Sequence, residues 1–296
     1  NPMVAINTDI PTPTSGKLMG NWGKAYTTEQ VSRLSPPKHT DTHKPKDHHT
    51  LFDMVSNGLH RAGFEHSEPL HYVGQGRVST DDKAPAKFMT VMNIRHEKIT
   101  DHAGGLQINR QVFIQNSYDK SLSIQIITGL EVCLCTNGMT MGQVEDEIRR
   151  KQTKNIDEDI YKIVYGGIDK MLGNFLAQDQ RVKQLQNTEM TNRMADHIIM
   201  DCMRAGVINP AGVKDVWDKW DTPNYAEYKD RNAWSLANAF TERGRGRNIF
   251  GRHGANNRML DIIDTYTDNS SRPIPSDDTD VQPVYTADAM PVSADF

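Results

Sequence analysis

Near Gly142 the spacing of apolar residues changes, and that change does most to limit the folds open to this chain. Before it, apolar side chains alternate with polar ones: Ile108, Val112 and Ile114 within 107–114, then Leu122, Ile124 and Ile126 within 121–127. A period of two places every second side chain on one face of a strand. Residues 88–96 are apolar and β-branched enough for a further half-buried strand, and 131–136 extend the set. Tyr118-Asp119-Lys120 and Asn137-Gly138 supply turn chemistry between strands, and such short connections imply an antiparallel meander. After Gly142, Ile156, Ile160, Ile163, Val164, Ile168, Met171, Leu172 and Phe175 form one stripe at helical spacing. Strands in one run and helices in the next imply an α+β fold.

The helical half is expected to continue through three more elements. One starts near Thr191 and turns Met194, Ile198, Ile199 and Cys202 inward. Asn209-Pro210 offers an N-cap with proline in the first turn, opening a helix with Val213, Val216, Trp217 and Trp220; Trp234, Leu236, Ala237 and Phe240 mark the next. Glycines and arginines over 243–258 imply a loop, before a short last helix over 259–266. Ahead of the sheet, Leu51, Val55, Leu59 and Ala62 predict a helix closed by Gly63. The expected plan is a flexible arm over 1–50, a helix and antiparallel sheet over 51–142, helices packed on the sheet over 143–267, and a disordered acidic tail over 268–296.

Composition excludes some classes of protein. Mean hydropathy is −0.65, and no apolar run approaches the roughly 18 residues of a membrane span. Residues 1–20 lack the charged and apolar regions of a signal peptide, and a chain starting at Asn1 suggests trimming rather than export. The three cysteines, Cys133, Cys135 and Cys202, read as small core residues of a reducing compartment. A cytoplasmic protein is therefore expected. Phosphate-loop, serine-hydrolase and zinc-protease motifs are absent from the sequence, so neither enzymatic activity nor a cofactor is expected.

At this point particular stretches suggest a family. Pro36-Pro37-Lys38-His39-Thr40, His48-His49, Ala62-Gly63-Phe64, the segment Val132-Cys133-Leu134-Cys135-Thr136-Asn137-Gly138-Met139 and the segment Ala233-Trp234-Ser235-Leu236-Ala237-Asn238-Ala239-Phe240-Thr241-Glu242 resemble the phage and plasmid proteins grouped as domain of unknown function 932. The resemblance covers about residues 30–265 and implies a mobile-element or bacteriophage setting; it assigns no catalytic residue.

Charge is unevenly spread. Residues 259–296 hold eight Asp against one Arg, which leaves the rest of the chain mildly basic, a division associated with polyanion handling. The ending Ser293-Ala294-Asp295-Phe296 is similar to the C-termini of single-stranded DNA-binding proteins, which implies that Asp295 and Phe296 dock on replication or recombination partners.

Candidate DNA contacts follow from the basic residues. Arg243, Arg245, Arg247, Arg252 and Arg258 lie among glycines with Phe250 and His253; arginines grip phosphates and rings stack on bases. Arg149, Arg150, Lys151 and Lys154 form a second run, which Lys87, Arg95 and Arg110 could join across an exposed sheet face. The bland alternative for the first is a solvated loop, and a charge run such as the second is more often a solvated helix face. The arm over 38–49 carries His39, His43, His48 and His49, but a flexible segment is a poor metal scaffold, so it reads as a basic phosphate-contacting arm and no metal is expected. The favoured function is binding or annealing of single-stranded DNA in phage or plasmid replication or recombination, by a homo-oligomer without a membrane role. The alternatives are a non-enzymatic virion or protein–protein assembly module and, more weakly, a nuclease using the His-rich arm.

Overall fold

The computed structural model describes residues 6–13, 23–75, 85–103, 106–132, 148–153, 155–244 and 249–267. The alternating segments fold into antiparallel strands as the period of two requires. The sheet comprises β1 (Lys24–Tyr26), β3 (Leu70–Gln75), β4 (Pro85–Arg95), β6 (Leu106–Ser117), β7 (Ile124–Val132) and β8 (Ile148–Arg150), in that spatial order. Two short strands, β2 (Glu65–His66) and β5 (His102–Ala103), pair with β4 and β6. Neighbours in space are neighbours in sequence through β3, β4, β6 and β7, so the meander is confirmed. Lys120 takes a left-handed backbone conformation (φ 62°) in the turn between β6 and β7, which fixes a register of Ile114 opposite Ile126 and Phe113 opposite Ile127.

One sheet face packs on two helices. α2 (His48–Arg61) is capped by Asp47, whose carboxylate accepts from the Thr50 backbone N–H, and ends before Gly63 at φ +84°. The left-handed φ favours glycine at Gly63, and a Cβ there would also crowd His96 Nε2 at 3.1 Å. The core beneath α2 holds Leu51, Val55, Leu59, Phe88, Met92, Val112, Ile114 and Ile126, all essentially inaccessible. α3 (Ile156–Asn187) completes it through Ile156, Ile160, Val164, Ile168, Met171 and Phe175.

At 32 residues, α3 spans about 48 Å and serves two cores. Its second half sends Val182 and Leu185 into the helical region. There they meet α4 (Asn192–Arg204), α5 (Pro210–Asp221), α6 (Ala233–Arg243) and α7 (Ile249–Thr267), around buried Trp220 and Trp234. The N-caps Thr191 and Asn209 and the proline opening α5 stand where the sequence placed them. Cys202 is buried there, and burial pushes its thiol up to about 12.

Three expectations change. Within the expected arm, residues 24–50 hold β1, α1 (Thr28–Ser32) and the start of α2, with Val31, His43 and His48 buried. The stretch 249–258, expected to be a loop, is the first half of α7. Glycine costs an isolated helix about 1 kcal/mol per residue, but burial of Arg252, His253, Asn256 and Met259 as α7 packs on α4 and α6 overrides that preference. The sheet also lacks the open face assumed for Arg95 and Arg110: on the side away from α2, Met89, Val91, Phe113 and Ile127 are buried as well. The expected strand end with Cys133 and Cys135, and the tail over 268–296, lie outside the described residues.

Candidate nucleic-acid interface

The basic residues named from sequence fall into three groups. In the helical half, Arg243 and Arg252 line a cleft of about 370 Å³ with Gly206, Ile208, Phe240 and Asn256. Arg243 Nη2 donates to Asn209 Oδ1 (2.8 Å), and its Nε lies 3.6 Å from Asp215. Arg252 is buried and donates to the Thr241 carbonyl, while His253 is buried with Nε2 3.4 Å from Asn257 Nδ2. Arg258 donates to the Ala205 carbonyl (2.8 Å). These contacts join helix ends, so the expectation of a phosphate-gripping loop is corrected for Arg252 and His253, which the packing of α7 encloses. Phe250 stands in the first turn of α7; Arg245 and Arg247 lie outside the described residues, as do Lys154, Asp295 and Phe296.

A second group is divided by the sheet. Arg110 sits on the face toward α3, 2% exposed, ion-paired with Asp179 and 5.8 Å from the Phe175 ring centre. Burial lowers its proton affinity and the Asp179 carboxylate opposes that. It holds α3 to the sheet and cannot reach an external strand. Arg95, a solvent-accessible side chain at the end of β4, lies 3.6 Å from Asp101.

The third group is assembled by the fold. Residues 40–47 run beside 150–153 and are laced to them. Gln152 is the hub: its carbonyl accepts from the Lys44 N–H (3.2 Å), its side-chain oxygen accepts from the Lys46 N–H (2.5 Å), and its amide donates to the Ser117 carbonyl (2.6 Å). The His43 ring spans the carbonyls of Gln152 and Tyr118, at 3.0 and 3.2 Å. Both lysine ammoniums, of Lys44 and Lys46, meet the single carboxylate of Asp157 in the first turn of α3, which holds that carboxyl below the ordinary carboxylate range. Arg150 pairs with Asp159 and Lys151 is exposed beside them, while the Arg149 backbone pairs with Gln125. Two ammoniums share the one Asp157 carboxylate, so charge on them is left over at this seam for a further anion such as phosphate.

Behind the seam the ring of His48 stacks on Tyr118 (3.7 Å between centres, 1° apart) and on Phe88 (4.9 Å), and Phe88 stacks on His71 (5.6 Å). Asn116 Nδ2 donates to the Lys46 carbonyl (2.8 Å) and lies 3.0 Å from His48 Nδ1. Burial lowers His48 to about 3 and His71 to about 4, so both are neutral rings. The four arm histidines thus go separate ways: His39 is exposed, His43 and His48 are buried, and His49 lies 3.1 Å from Asp53. Among the described residues no group of three or more His, Cys, Asp or Glu is placed to hold a metal.

The seam continues along α3. Tyr161 and Tyr165 follow Asp157 at intervals of four residues, on the same helix face. Their ring centres are 6.3 Å apart, and Arg61 of α2 lies 5.3 Å from the centre of the Tyr165 ring. Sequence reasoning named neither these rings nor the link from Lys44 and Lys46 to Asp157. A repeat of Asp157, Tyr161 and Tyr165 was readable as a helical stripe; the pairing of residues more than 100 positions apart was not.

An antiparallel meander with a long helix across one face and a helical bundle at its end defines an α+β protein. The chain belongs to the family described as Domain of unknown function (DUF932), whose model matches residues 40–261. Nothing among the curated proteins matches it, and nothing among the solved structures does. Among the described residues, no helix is long and apolar enough to cross a membrane.

Proposed function

We propose that this protein binds and anneals single-stranded DNA, in the cytoplasm of a bacterial host, during replication or recombination of a phage or plasmid. The observation that carries this reading is the convergence of Lys44 and Lys46 on Asp157, beside Arg150 and Lys151. A segment near the start of the chain and a basic run a hundred residues later come together here, and two ammoniums that share one carboxylate can turn on flexible stems toward a phosphate oxygen. Lysine is a flexible point charge, so the surface suits a backbone of variable path rather than one fixed ligand. The acidic stretch over 259–296 supports the reading from sequence: it can compete with DNA for basic surface and recruit partners through Asp295 and Phe296.

A mobility-shift titration with single- and double-stranded oligonucleotides of equal length tests this. Single strands are expected to bind more tightly, and replacing Lys44 and Lys46 together by Ala is expected to weaken that binding at least tenfold. Absence of any shift at low salt would refute the reading and favour an assembly module without a nucleic-acid ligand.

A further inference from the structure

Lysines that hold phosphates explain attraction to any nucleic acid but not a preference for unpaired strands, which needs a surface for bases. Tyr161 offers one. Its side chain is 51% exposed, the highest value among the large apolar residues described. It stands one turn beyond Asp157, the residue that gathers Lys44 and Lys46, and the backbone rise between the two positions is about 6 Å. Scattered exposed tyrosines are ordinary on protein surfaces; this one differs by its support.

Tyr165, the next ring on the stripe, is held from behind. α2 approaches α3 at Gly58, where a Cβ would come within 3.1 Å of the Tyr165 ring and 2.5 Å of Ile168 Cδ1. Arg61, one turn on from Gly58, places its guanidinium 5.3 Å from the Tyr165 ring centre. Tyr161 then lies 24° from parallel with Tyr165, 6.3 Å away. Anchored ring, guanidinium and half-exposed ring form a ladder, and its outer member faces the same side of the helix as the lysines. Lys162 is exposed next to it. Asp157, Asp159 and Glu158 share this first turn; the first two are tied to Lys44, Lys46 and Arg150.

We propose that Tyr161 is a base-stacking platform, backed by Tyr165 and Arg61, on which an unpaired base of single-stranded DNA lies while Lys44 and Lys46 hold its phosphates. The proposal rests on the seam being the DNA site. It makes the seam selective for unpaired strands, because a base within a duplex is already stacked on its neighbours and presents no face to the ring.

The test uses the full chain and fluorescence anisotropy with an oligothymidylate, and with an abasic oligonucleotide of the same length. Tyr161→Ala is expected to weaken oligothymidylate binding about 5- to 100-fold and to leave abasic binding unchanged; Tyr161→Phe, which keeps the ring, is expected to bind like the wild type. Tyr161 is exposed and takes no part in either core, and circular dichroism of each variant checks that it folds. If Tyr161→Ala binds oligothymidylate as the wild type does, while Lys44→Ala with Lys46→Ala loses affinity for both oligonucleotides, the platform is refuted and the seam stands. If the lysine variant binds both normally, or the wild type binds neither, the seam reading fails and the platform with it.

Discussion

The residues of the seam are ordinary in type and informative only in placement. Lys44 and Lys46 look like two more charges in a polar stretch until Asp157 is seen between them. Behind them, His48 and His71 are buried in a stack of rings, and His48 Nε2 and His71 Nδ1 meet no hydrogen-bond partner among the described residues. Their lowered proton affinity links stability to pH. The unfolded chain binds these protons near pH 6.5, whereas the folded protein does so only near about 3 and about 4. Stability is therefore complete above about pH 6.5 and declines as pH falls, by about 1.4 kcal/mol per pH unit for each fully responsive histidine. Urea unfolding at about pH 7 and pH 5 is expected to give a lower midpoint at pH 5, with His71→Gln flattening the dependence. Equal midpoints would show that the two rings are not buried neutral.

At the scale of elements, periodicity predicts α2 to α6 and the strands β4, β6 and β7 because each buries one continuous face; β3, at Leu70–Gln75, was not read from it. It fails at α7, where glycines lowered the intrinsic preference and hid a helix held by its neighbours. Gly254 is exposed in that helix, and a Cβ there would meet nothing within 4 Å. Gly254→Ala is then expected to raise stability by about 1 kcal/mol, read as an upward shift of the thermal midpoint. A loss of stability would mean that the segment is a loop requiring glycine, as the sequence alone suggests. Such errors have a common cause: α7, β1 and α1 are set by tertiary contacts, and a local pattern does not contain those. The Arg110–Asp179 pair belongs here in part: the period of two that buries Ile108 and Val112 puts Arg110 on the same face, but its partner on α3 lies 69 residues away and no local pattern contains it.

For the whole molecule, the α+β class was legible because the period changes once, near Gly142. The site was legible in part. The basic arm and the run containing Arg150 and Lys151 were named, but separately, and Tyr161 was not named at all. Contacts across a hundred residues depend on how the meander closes, which no local spacing encodes. The uneven charge belongs to this scale as well. Deleting residues 273–296, which carry five Asp and no Lys or Arg, is expected to strengthen DNA binding at low salt, with the gain shrinking as salt screens it. Weaker binding by the truncated chain would mean that this stretch assists rather than competes.

The central claim is that Lys44 and Lys46 meet DNA phosphates, and salt tests it most directly. Each phosphate neutralised on a single strand contributes about −0.7 to the slope of log affinity against log salt. The Lys44→Ala, Lys46→Ala variant should therefore have a slope shallower than that of the wild type by about 1.4. An unchanged slope in a folded variant would contradict the account, because it would place the phosphates somewhere other than this seam.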